Sequence, residues 1–206
     1  MEQLAFFNKV TLGTFLQKSG SNLDYWVKTR LKSGEIIALK KGLFVSRDYL
    51  LTLQNNFPLK EKYFEYLANI IRQPSYLSTE YVLSQKGIIP ESVFAYTSIS
   101  SKTSRKYTNK LGNFYYRNIK KDLFCGFESV EFETGKFVRK ATKAKALFDF
   151  IYLKKFKGIE TLKNELLVDL RINWLEFNKK DKTEFKNYVK ISNSSKMKES
   201  VKILKW

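Results

Sequence analysis

At Gly34 the hydrophobic period of the chain changes from helical to extended. Upstream, Leu23, Trp26, Val27 and Leu31 recur at three to four residues, with Asn22 placed to cap the helix and Gly34 to stop it. Downstream, Glu35-Ile36-Ile37-Ala38-Leu39 and Leu43-Phe44-Val45-Ser46 are β-rich runs on either side of Lys40-Lys41-Gly42, which predicts a hairpin. Earlier, Leu4, Phe7 and Val10 fall at helical spacing and predict a short helix from Glu2 to Val10. Thr11 is then the expected N-cap of a second helix with Leu12, Phe15 and Leu16 inward, and Gly20 supplies a turn. Three short helices and a hairpin are the plan of a winged helix-turn-helix, here assigned to residues 1–57.

Residues 58–206 read as a larger α+β unit, the segment from Asn55 to Pro58 marking the boundary. A helix is predicted from Leu59 to Ile71, with Tyr63, Leu67, Ile70 and Ile71 inward, and a second from a Ser78 cap through Gln85, ended near Gly87. Strand-like runs follow at Val93–Ser98, Leu111–Ile119, Leu123–Phe132 and Lys136–Val138, which together predict one antiparallel sheet. Helical patterns return at Thr142–Lys154, Ile159–Phe177 and Lys182–Lys190, so helices flank the strands, and Ser192 to Lys202 reads as a loose tail.

Charge narrows the partner. The chain carries 38 Lys and Arg against 20 Asp and Glu, a formal net charge of +18. Such a field favours a polyanion, because cations on phosphates release condensed counterions. The preponderance of Lys (31 against 7 Arg) fits an AT-rich coding bias, which does not explain the scarcity of acids. With no His and a single cysteine, Cys125, the chain has no Ser-His-Asp or Cys-His nucleophile, no internal disulfide and no zinc site of the usual kind. No run reaches the roughly 20 apolar residues of a membrane span, and MEQLAFFNKVTLGTFL lacks the marks of a secretory signal. The expectation is a cytoplasmic protein with no membrane partner, no cofactor and no metal.

If Leu23, Trp26, Val27 and Leu31 face the core, then Asn22, Tyr25, Lys28, Thr29 and Lys32 lie on the outer face of the third helix. Hydrogen-bonding and cationic groups there are what groove reading requires, and Lys40 and Lys41 at the hairpin tip are candidates for contact with the backbone or the minor groove. A second basic patch lies between Glu91 and Asp122, where 30 residues hold Lys102, Arg105, Lys106, Lys110, Arg117, Lys120 and Lys121 and no acid. Tyr107, Phe114, Tyr115 and Tyr116 are interleaved with it, as in a surface that stacks bases, or as in a hairpin whose aromatics serve the core.

Three segments carry a resemblance to a known family. They are Leu39-Lys40-Lys41-Gly42-Leu43-Phe44 at the end of the first unit, the stretch from Tyr76 to Ile88, and Ala141 to Asp149. With the order of elements around them they resemble the AbiE-type antitoxins, the DNA-binding halves of abortive-infection toxin–antitoxin operons. Lys143 and Ala144 stand where that family has a Pro-Glu pair. The resemblance implies a non-catalytic autorepressor that binds inverted repeats in its own promoter, as a monomer or weak dimer with two copies on DNA. It also implies a C-terminal domain that counteracts a nucleotidyltransferase toxin without forming a stable complex with it.

Two other readings stay open. One is a winged-helix repressor whose C-terminal domain senses a ligand or partner. The other is a magnesium-dependent nuclease built on Asp122, Glu131, Glu133 and Lys136. Glu133-Thr134-Gly135-Lys136 has one residue too many for an acid and a lysine to share a strand face, which counts against it. Asp149, after an apolar helical face, reads as a structural acceptor, and Cys125 beside Phe124 and Phe127 as a small core residue.

Overall fold

The computed structural model describes residues 4–206, a mixed α+β chain with two sheets. The first unit begins with a strand. Phe7–Asn8 (β1) pairs antiparallel with Leu43–Ser46 (β3), which pairs in turn with Ile36–Lys40 (β2), giving the order β1-β3-β2. The helix expected from Glu2 to Val10 is therefore corrected over its described residues, its first two falling outside them. Phe7 is buried against Phe44 in the sheet, and Val10 is exposed. Three apolar residues at a spacing of three fit a helix, but strand pairing with β3 buries Phe7 more completely and decides the conformation.

Between β1 and β2 run two helices, Lys9–Leu16 (α1) and Gly20–Ser33 (α2). The cap of α1 is Asn8, whose Oδ1 accepts from Thr11 N at 2.8 Å, so the helix starts earlier than the expected Thr11 cap. Leu12 is buried, whereas Phe15, expected inward, is 62% exposed. Gly13 lets α1 and α2 close up: a Cβ there would lie 2.9 Å from Lys18 O and 3.1 Å from Leu23 Cδ2. Phe7, Leu12, Leu23, Val27, Ile36 and Phe44 form a small core of their own. Gly34 ends α2 at φ 78°, a conformation glycine adopts without steric cost.

Arg47–Thr52 (α3) and Phe57–Ile71 (α4) follow, α4 capped by Asn56 with Pro58 in its first turn. The larger sheet comprises Ser75–Leu77 (β4), Tyr96–Ser100 (β5), Arg105–Asn109 (β6), Gly112–Asn118 (β7), Phe127–Glu133 (β8) and Lys136–Ala141 (β9), in the order β6-β7-β5-β4-β9-β8. It is mixed rather than antiparallel, because β5 runs parallel to β7 and β4 parallel to β9. β4 and β6 lie outside the strand-like runs of the sequence. β4 is three residues long, and β6 is a mostly exposed run of polar residues around Tyr107 without apolar alternation.

Thr79–Gln85 (α5), Lys143–Leu153 (α6), Ile159–Asn164 (α7), Lys179–Ser192 (α8) and Ser195–Ile203 (α9) complete the chain. The long helix expected over Ile159–Phe177 is broken: α7 runs into a π-helical turn at Glu165–Asp169, Arg171 takes φ 44°, and Trp174–Glu176 is a 3₁₀ turn. The tail expected to be loose is α9, with Met197 and Ser200 buried. Among the described residues no helix is long and apolar enough to cross a membrane.

The two units share a boundary of packed side chains. Leu39, Leu43, Val45, Tyr49 and Leu53 belong to the same hydrophobic cluster as Tyr63, Leu67, Phe114 and Phe148 of the larger unit. Tyr63 donates to Ala5 O, and Asn109 Nδ2 donates to Leu39 O at 3.1 Å.

Candidate nucleic-acid interface

α2 carries Leu23 and Val27 into the small core, and its 3.6-residue period turns Asn22, Tyr25, Lys28, Thr29 and Lys32 outward. All five are exposed, Tyr25 at 74%. Thr29 Oγ1 donates to Tyr25 O at 2.9 Å, which commits its proton within the helix and leaves its lone pairs free.

The other charges of the helix are matched locally. Asp24 pairs with Lys9, and Arg30 pairs with Glu35 at 2.7 Å while lying 5.5 Å from the centre of the Trp26 ring. The Arg30 guanidinium and the Ser33 hydroxyl hold the Glu35 carboxyl below its ordinary range. Lys28 and Lys32 enter no ion pair among the described residues, so the net field of this face is theirs. Lys18, exposed in the α1–α2 turn and likewise unpaired among the described residues, adds a cation at the start of the helix. Nothing in the sequence singles it out, because a turn lysine carries no periodicity.

At the hairpin the two candidate lysines part company. Lys41 is exposed at the turn. Lys40 is half-buried, and its Nζ donates to Ile71 O at 2.5 Å, at the C-terminal end of α4. Lys40 therefore leaves the set of tip cations: an ammonium satisfying helix-terminal carbonyls is engaged with the fold.

The second patch is similarly sorted. Lys102, Arg105, Lys106, Lys110, Lys120 and Lys121 are exposed. Arg117 is half-buried and donates from Nη2 to Leu153 O at 2.6 Å, past the end of α6's hydrogen-bonding ladder, so it too is corrected to a structural cation. The interleaved aromatics belong largely to the core. Phe114 and Tyr116 are buried, Tyr116 donating to Ala68 O at 2.6 Å, and Tyr107 meets Tyr116 edge-on. Tyr115 is half-buried, with Lys106 Nζ 5.1 Å from its ring centre. What β6 presents is a cationic edge strand beside β2.

Two of the three acids weighed for catalysis are engaged elsewhere, and the third, Asp122, is exposed. Glu133 pairs with Lys136 and accepts from Tyr49 at 2.9 Å, Glu131 accepts from Gly135 N at 2.8 Å, and Asp122 lies in a 3₁₀ turn at Lys121–Leu123. Among the described residues no group of three or more His, Cys, Asp and Glu side chains stands close enough to share a metal ion.

A buried polar cluster lies between the sheet and α6. Ser78 heads α5, yet its hydroxyl makes no cap: it donates to Asp149 Oδ2 at 2.8 Å, as does Tyr76 at 3.0 Å. Asp149 pairs with Lys145, whose ammonium lies 5.0 to 5.6 Å from the ring centres of Phe148, Tyr188 and Tyr76. Burial pushes the Asp149 carboxyl above its ordinary range, against the pull of Lys145, Ser78 and Tyr76. The half-buried Cys125 is nearby and its thiol is also pushed up by burial. The i,i+4 spacing of Lys145 and Asp149 is the signal available in the sequence for this pair.

Comparison of the chain with protein-family models and with curated proteins returned no match.

Proposed function

We propose that the chain is a DNA-binding autorepressor and the antitoxin of an abortive-infection type operon, reading its operator as a winged helix-turn-helix with α2 as the recognition helix. The observation that carries the reading is the open outer face of α2, where Asn22, Tyr25, Lys28, Thr29 and Lys32 are exposed together on a helix fixed by its own small core. Lys28 and Lys32 supply phosphate contacts, Tyr25 and Asn22 supply base-edge contacts, and Lys41 touches the flanking backbone. Inverted repeats would seat two copies, and a weak dimer suffices because each copy brings its own duplex contacts.

The antitoxin half rests on the resemblance to AbiE-type antitoxins. One feature of the larger unit supports treating its resembling segments as a single element: the stretch from Tyr76 to Ile88 and the stretch from Ala141 to Asp149 are bonded to each other through Asp149.

The experiment is a promoter footprint paired with a rescue assay. The protein should protect an inverted repeat upstream of its own reading frame, and its expression should restore growth of cells making the nucleotidyltransferase encoded beside it. Protection without rescue would reduce the reading to an ordinary repressor. Neither protection nor rescue would remove it.

A further inference from the structure

We infer that the wedge between α4 and β9 binds a small monocarboxylate with an apolar body. The inference stands apart from the DNA-binding reading. β4 and β9 are bridged at one register position, Leu77 with Lys140. Beyond that bridge α4 takes over the edge of β9, and Arg139 N donates to Asn69 Oδ1 at 2.5 Å. A cleft of about 440 Å³ opens there, within the size range of small-molecule sites.

Its walls combine an apolar body with a few polar groups. Tyr66, Pro74 and Phe137 supply the apolar surface, and Asn69, Ser75 and Arg139 supply the polar one. Asn69 and Ser75 are only 5% and 2% exposed, yet Asn69 Nδ2 and Ser75 Oγ have no hydrogen-bond partner among the described residues. Buried polar atoms in folded proteins are paired in the great majority, so two orphans on residues that line one cleft, though neither atom is itself open to it, mark a place where a small side-chain movement lets ligand acceptor atoms pair with them.

Charge then selects the ligand. The side chain of Arg139 is exposed and enters no ion pair among the described residues, and no other cation and no acid lines the wedge among them. A single guanidinium matches one negative charge, and its fork fits the two oxygens of a carboxylate. A phosphate dianion would meet one cation where it needs two.

The test is a nuclear magnetic resonance titration of the isotope-labelled full chain with acetate, hexanoate, benzoate and phenylacetate, and with inorganic phosphate. The larger carboxylates should move the Asn69 side-chain amide signal saturably, with dissociation constants below about 1 mM. Acetate, lacking an apolar body, should bind more weakly, and phosphate should leave the signal in place. Arg139→Gln should weaken binding about 10- to 100-fold, the loss expected for a charge-assisted hydrogen bond. Phe137→Ala, at a half-exposed position, should weaken benzoate more than acetate without altering the melting temperature. No saturable shift with any carboxylate, an equal response to phosphate, or undiminished binding by a folded Arg139→Gln protein would each overturn the inference.

Discussion

Lys145 and Asp149, one turn apart on α6, form an ion pair in which neither side chain reaches solvent. Asp149 also accepts from Tyr76 and Ser78, so the pair ties α6 to β4 and to the head of α5. Removing one partner strands a buried charge, whereas replacing both by apolar groups of similar volume need not. Asp149→Ala should therefore lower stability by about 3–5 kcal/mol in denaturant unfolding, and Lys145→Met with Asp149→Leu should recover part of that loss, the Tyr76 and Ser78 hydroxyls still lacking their acceptor. A double variant no better than Asp149→Ala would show that the pair itself is not what matters.

Neighbouring hairpin lysines should give opposite phenotypes. Lys40→Gln loses the bond to Ile71 O and should lower the melting temperature by about 2–4 °C, as expected for roughly 1 kcal/mol in a chain of this size. Lys41→Gln, at an exposed position, should leave melting unchanged and weaken duplex binding. The reverse assignment would place Lys40 at the duplex.

Gly13 should not tolerate a side chain. A methyl group would press on Lys18 O, a backbone atom in the α1–α2 turn, so Gly13→Ala should destabilise the chain by about 1–3 kcal/mol. An unfolding midpoint equal to that of the parent would mean that the two helices do not meet as described.

Alkali should unfold the protein through its tyrosines. Burial pushes Tyr63, Tyr76, Tyr81, Tyr116 and Tyr188 above the ordinary value of 10.0. A phenol whose folded value is raised contributes nothing to pH dependence below the unfolded value, and above it the unfolded state sheds protons that the folded state retains. Melting temperature should therefore hold steady as pH approaches 10 and fall beyond it, with the tyrosinate absorbance of these five appearing only on unfolding. Gradual ionisation of these tyrosines near 10 in the folded protein would contradict their burial.

Legibility in the sequence followed the length and strength of each local signal. α2, its Gly34 stop and the β2–β3 hairpin were readable because period and turn agreed, although α2 starts at Gly20 after Ser19, so that the expected Asn22 cap lies inside the helix. α6 was readable because Thr142 caps a strongly apolar stripe. β1 and β4 were not, because two- and three-residue strands exist only through their partners across the sheet. α9 was hidden by a polar composition that conceals the buried Met197 and Ser200. At the interface the outward face of α2 followed from helical period alone. The inward commitments of Lys40 and Arg117 depend on carbonyls of α4 and at the end of α6, which are distant in sequence.

Salt dependence of duplex binding tests the recognition-face proposal most directly. For the parent, the logarithm of the association constant should fall linearly with the logarithm of salt concentration, and replacing Lys28 and Lys32 together by Gln should flatten that slope by about 0.9 for each phosphate no longer neutralised. Weaker binding with a flatter slope and an unchanged melting temperature is the result expected. An unaltered slope, with binding undiminished, would contradict the proposal that α2 presents this face to DNA.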